Sequence, residues 1–222
     1  MSRNPAIDEG ARPYAFELSG GAPCLDFVNT LGNRLGPEPL EEHLERYEDV
    51  IEFARQTGAL GDSAAETLRA AARARPADAA RALERAIALR ESLHAIFDAL
   101  AAGERPAEAD LAGLNEELAP ALAHARLEKR GERYALAWED PRVAAEGSGA
   151  APLDRPLWPI AHSAMELLLE ADLSRIGECE SDTCGFLFLD TTRNRSRRWC
   201  DTRICGNRAR VRRHRRRMAE GE

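Results

Sequence analysis

Lysine is almost missing from this 222-residue chain: Lys129 stands alone against 30 arginines. Aromatic residues make up only 5%, too few of the side chains that favour strands for an all-β core. No apolar run approaches the ~18 residues of a membrane-spanning helix. The opening stretch, MSRNPAIDEGARPYAFELSGG, carries charges and prolines where a secretory signal needs an apolar centre. Neither a P-loop nor a dinucleotide-binding glycine pattern occurs, and none of His43, His124 and His214 has a persuasive second ligand at metal-binding spacing. A soluble, cytoplasmic protein that is not an enzyme is expected. Five cysteines in a chain that is not exported point away from disulfides, because the cytosol keeps thiols reduced.

What is abundant is alanine, leucine, glutamate and arginine, a helix-forming composition with 44% hydrophobic residues. The expected fold is mainly α: a helical N-terminal domain with a small β-hairpin, then a C-terminal treble-clef-like zinc finger ending in a basic helix. Tyr14 to Leu18 reads as a short strand, and GGAPCLDFVNTLGNR as a turn around an apolar centre. Pro39 at N1 opens a helix that Gly58 stops, and Ser63 with Glu66 forms a capping box for the next. Pro76 restarts a long helix to Gly103, on which Arg90 and His94 interrupt an apolar stripe. A shorter helix covers Ala107 to Leu118. ALAHARLEKRGERYALAWED alternates around KRG as a hairpin should, and a last helix covers Leu157 to Leu173. The domains expected are 1–172, 173–217 and a tail, 218–222.

The formal net charge of −7 conceals a division. Residues 193 to 217 hold 12 arginines and one acid, Asp201, for +11, whereas residues 1 to 192 carry −16. A basic effector segment on an acidic body has this polarity.

Four cysteines bracket that segment: Cys179 and Cys184, then fifteen residues, then Cys200 and Cys205. Two C-x4-C pairs supply the four soft donors of a tetrahedral Zn²⁺, and so small a segment needs metal to fold. Four thiolates leave no open position for a catalytic water, so one structural zinc is expected. Cys24, beside Leu25, reads as core. GFLFLD after the first pair is a strand, and Ile204 onward a helix.

Arginines crowded on that helix repel one another, and phosphates are their natural counter-charge. The expected nucleic-acid contacts are Arg193, Arg195, Arg197, Arg198, Asn207, Arg208, Arg210, Arg212, Arg213, Arg215 and Arg216. DNA is favoured over RNA. Trp199 reads as packing rather than base-stacking, and Asn207 either reads a base or caps the knuckle. Asp26, Asn29, Thr30, Arg90 and His94 are polar groups near apolar ones; they line a small-molecule pocket or satisfy one another, with Asp26 and Arg90 as a buried pair. An RNA-binding protein and a basic finger docked on its own acidic domain are the rival readings.

The stretch from Asp172 to Arg217 resembles the CGNR zinc-finger family, whose Cys-Gly-Asn-Arg run is here Cys205, Gly206, Asn207 and Arg208. CLDFVNT, LRESLHAIF and PIAHSAMELL are similar to the ABATE domain that precedes this finger in many relatives. The resemblance implies a bacterial, nucleoid-associated, stress-responsive transcriptional regulator that binds DNA.

Overall fold

The computed structural model describes residues 14–37, 39–138 and 151–220. It is mainly helical, with three two-stranded antiparallel sheets, as the composition predicts.

Residues 14–19 carry no regular structure. Tyr14 to Leu18, expected as a strand, is held instead by a side chain: Phe16 donates its N–H to Gln56 Oε1 at 3.0 Å, and Gln56 Nε2 donates to the Tyr14 carbonyl at 2.6 Å. A short helix, α1 (Pro23–Val28), then occupies the place read as a turn. Cys24, Leu25 and Phe27 on it are fully buried, so six residues that show no periodicity form the centre of the core.

Strands β1 (Leu31–Gly32) and β2 (Glu41–Glu42) pair antiparallel. That pairing takes the residues after Pro39, which therefore does not open a helix. Instead α2 runs Tyr47–Gln56, and Asp49 accepts the Arg46 N–H at 2.8 Å to close its first turn. Tyr47, Val50, Ile51 and Ala54 on its inward face are buried, with Leu44 ahead of it. Gly58, with φ +74°, takes the left-handed position after the helix that other residues occupy only with strain.

Next, α3 (Asp62–Ala74) begins one residue before the expected cap, with Gly61 at its N-cap. Ser63 is already helical, its carbonyl accepting the Thr67 hydroxyl, while Glu66 pairs with Arg69. The long helix α4 (Pro76–Ala101) starts with proline at its first turn, where no N–H is missed. It is the backbone of the domain, burying Ala86, Leu89, Leu93, Ile96 and Phe97 against α1, α2 and α5 (Glu108–His124).

Helix α5 continues six residues past its expected end, through Pro120. Its last turn is held by His124, whose Nδ1 lies 2.8 Å from the Pro120 carbonyl and whose ring stacks on Trp158 at 4.1 Å. The hairpin follows as expected, β3 (Ala125–Arg130) with β4 (Arg133–Trp138). Helix α6 (Trp158–Glu170) closes the bundle across α5 and α1.

The C-terminal segment forms the hairpin β5 (Ile176–Glu178) and β6 (Leu187–Leu189), a π-helical turn at Thr202–Gly206, and α7 (Asn207–Glu220). Knuckle, hairpin and helix occur in the order of a treble clef. The hairpin is not a free appendage: Ile176 and Leu187 belong to the main core, while Cys179, Phe188, Cys200 and Cys205 form a second, small one.

Candidate metal centre and nucleic-acid interface

The β5–β6 hairpin puts the first cysteine pair at its tip. Cys179 donates its N–H to the Phe186 carbonyl at 2.9 Å, and Cys184 donates to Ser181 at 3.2 Å, so the knuckle is a closed turn. Gly185 follows with φ +70°, and a Cβ there would stand 2.9 Å from Cβ of Arg34. Both the backbone angle and the close approach require glycine. The second pair flanks the π-helical turn, where Asp201 accepts the N–H groups of Arg203 and Ile204 through its side chain and that of Gly206 through its carbonyl. Gly206 lets this turn lie against Trp199, which a Cβ would meet at 3.4 Å. Trp199 therefore packs, as expected from its place beside a ligand, and Asp201 rather than Asn207 caps the turn.

All four sulfurs lie within 4.8 Å of one another. Cys184 to Cys200 and Cys200 to Cys205 are each 3.6 Å. A tetrahedron of sulfurs at ~2.3 Å from a central ion has edges of about 3.8 Å, so the set fits one zinc. Hydrogen bonds from Cys184 and Cys200 hold the Cys179 thiol far below its usual range, and the same contacts push Cys200 up. Thiols this close compete for ionisation, and a divalent cation among them would allow all four to ionise. A closed set of four thiolates is structural.

The arginines divide sharply. Arg197 is a staple: its guanidinium donates to the carbonyls of Leu189, Trp199 and Cys200 at 3.3, 3.1 and 2.6 Å, and to that of Ser19, and lies 4.3 Å over the Phe188 ring. It was expected to meet phosphate, but its donors are spent on the finger's interior. Arg195 pairs with Asp172 at 2.6 Å. Arg198 and Arg212 pair with Glu180 and Asp182. Among the described residues, Arg193, Arg208, Arg210, Arg213, Arg215 and Arg217 have no anionic partner, and no ion pair joins α7 to residues 14–172. The Arg216 side chain lies outside the described residues.

The five polar residues near α1 and on α4 all find protein partners except His94, which burial and the Arg34 charge hold below its usual range. Asp26 accepts the Gly20 N–H at 2.6 Å; burial still pushes its carboxyl up to about 6. Thr30 donates its hydroxyl to the Phe27 carbonyl. Arg90 is not paired with Asp26: it forks onto Glu42 at 2.6 and 2.7 Å and reaches Glu91 at 2.9 Å. Glu42 arrives on β2, which no helical pattern could indicate. Asn29 faces Leu187, donating to its carbonyl and accepting its N–H, both at 2.9 Å. Its carboxamide thus replaces a neighbouring strand and ties the helical domain to the finger. Asp26 and Asn29 also line a cavity of about 100 Å³ that reaches the metal centre, its other walls including Phe16, Phe186, Arg208 and the ligands Cys184, Cys200 and Cys205; Thr30, Arg90 and His94 are not among its walls.

Asp190 was not singled out from sequence. It accepts the N–H and hydroxyl of Thr192 at 2.7 and 2.6 Å and the Arg197 N–H at 2.9 Å, shaping the link from β6 to the second knuckle. An aspartate two residues before a threonine is the readable signal of such a turn.

A four-cysteine zinc finger bearing an arginine-rich helix, set on an α-helical domain, is the class that this fold and site define. The chain belongs to the ABATE family, described as "Putative stress-induced transcription regulator", whose model matches residues 21–171, and its C-terminal part is a CGNR zinc finger over residues 175–218. No curated protein matches the chain.

Proposed function

We propose that this protein is a transcriptional regulator that grips duplex DNA with a zinc-ordered finger. One observation carries the reading: among the described residues, five arginines without an anionic partner stand on a helix that follows directly from the turn holding Cys205, and a sixth, Arg193, stands in the link before the second cysteine pair. So dense a set of uncompensated guanidinium groups attracts polyanions, and phosphates suit their forked donors. The helical domain acts as sensor, and an effector entering the cavity beside Asp26 and Asn29 touches both parts at once.

Native protein and a Cys200→Ser, Cys205→Ser variant, compared for zinc by mass spectrometry and for duplex binding over a salt series, test this. About one zinc per chain is expected in the native protein. With six contacts, log K should fall with log[salt] at a slope of about −5, and the variant should lose both properties. Zinc without salt-dependent duplex binding would reject the reading.

A further inference from the structure

With the internally held arginines set aside, α7 has an ordered outer surface. At about 100° per residue, Asn207, Val211 and Met218 fall on one stripe. All three are exposed, Val211 at 42% and Met218 at 64%. The opposite side faces the first knuckle, where Arg212 meets Asp182 and Ser181. Arg208 and Arg215 border the stripe on one flank and Arg210 and Arg217 on the other, whereas Arg213 lies on the knuckle side, lining the same hollow as Ser181 and Asp182. A narrow strip without arginine therefore lies between two rows of guanidinium groups that have no anionic partner among the described residues.

A helix about 10 to 12 Å across enters the B-DNA major groove, which is about 12 Å wide, and its flanking cations then reach phosphates on both walls. The narrow major groove of an RNA duplex excludes it. A bilayer surface would demand a wider apolar face than Val211 and Met218 provide. Within the strip, Asn207 is the hydrogen-bonding group whose side chain is described. Its carboxamide has no partner among the described residues, since Asp201 caps the preceding turn. It also lies at the start of the helix, the end that recognition helices present to base edges.

We propose that Asn207 reads adenine in the major groove, its Oδ1 accepting from the base N6 amino group and its Nδ2 donating to N7, while Val211, one turn on, meets a thymine methyl. This rests on the DNA-binding reading above. It makes the target a duplex with a fixed A·T pair at the position under the helix N-terminus.

Selection from a randomised duplex library with the full zinc-loaded chain, repeated with Asn207→Ala, tests it. The native protein should enrich one invariant adenine. Asn207→Ala should lower the preference for that base about 5- to 150-fold, with zinc content, non-specific affinity and salt slope unchanged. Replacing the adenine by 7-deazaadenine should weaken the native protein and leave the variant unaffected. A native protein without base preference, or a preference that survives in Asn207→Ala, overturns the assignment and leaves duplex binding standing. Failure to bind any duplex in a salt-dependent way overturns the DNA reading and this inference with it.

Discussion

Asp26 is the residue at which pH acts on stability most directly. Its carboxyl, usually near 3.8, titrates at about 6 in the folded chain because burial opposes ionisation more than the Gly20 N–H and the Arg197 charge favour it. A raised acid favours the fold when protonated, so its contribution is complete below about pH 4 and is lost as pH rises through 6. Relative to an Asp26→Asn variant, the native protein should gain about 1 kcal/mol between pH 7 and pH 5. Urea denaturation of both proteins at the two pH values checks this; parallel responses would remove Asp26 as the cause. Arg197 makes a related point about residues. In the sequence it is one cation in a run, and nothing there separates an arginine that meets phosphate from one that spends its donors on four carbonyls.

Among the elements, the turn between the second pair of cysteines depends on one cap. Asp201 holds the N–H groups of Arg203 and Ile204, and losing such a cap costs about 1 kcal/mol. Asp201→Ala should therefore weaken zinc retention several-fold in competition with a chelator while the helical domain keeps its circular dichroism; unchanged retention would show that the metal orders the turn unaided. The elements that were legible in the sequence are those with a repeat or a spacing: the 26-residue α4 with its proline start, the β3–β4 hairpin around Lys129 to Gly131, and the paired cysteines. Those that were not are short or owe their form to distant partners. Helix α1 has six residues, too few for a period of 3.6. Pro39 has the look of a helix start, but the pairing of Glu41 and Glu42 with β1 overrides local preference. Likewise Arg90 was found as a buried charge, yet its partner Glu42 is 48 residues away and carries no pattern linking the two.

At the scale of the molecule, metal and core are coupled. Ile176 and Leu187 sit in the main apolar cluster, and the Leu189 N–H donates to the Gly20 carbonyl at 2.8 Å. Disordering the finger must therefore expose part of the helical core. Stripping zinc with a chelator should lower the melting temperature of the whole chain by several degrees, as about 1 to 2 kcal/mol does in a domain of this size, and calorimetry of the chelated and zinc-loaded protein measures it. A helical transition indifferent to zinc would show that the two cores unfold independently. The join at Asn29 has a consequence of another kind. Its carboxamide recognises an N–H and a carbonyl, so the hydrogen bonds of the seam depend on the backbone path of the hairpin, while the Leu187 side chain, buried in the main core, must stay apolar. A finger with a different C-terminal helix should thus fit the same helical body, provided that the asparagine stays with the body and the hairpin keeps its backbone path and its two core residues, Ile176 and Leu187.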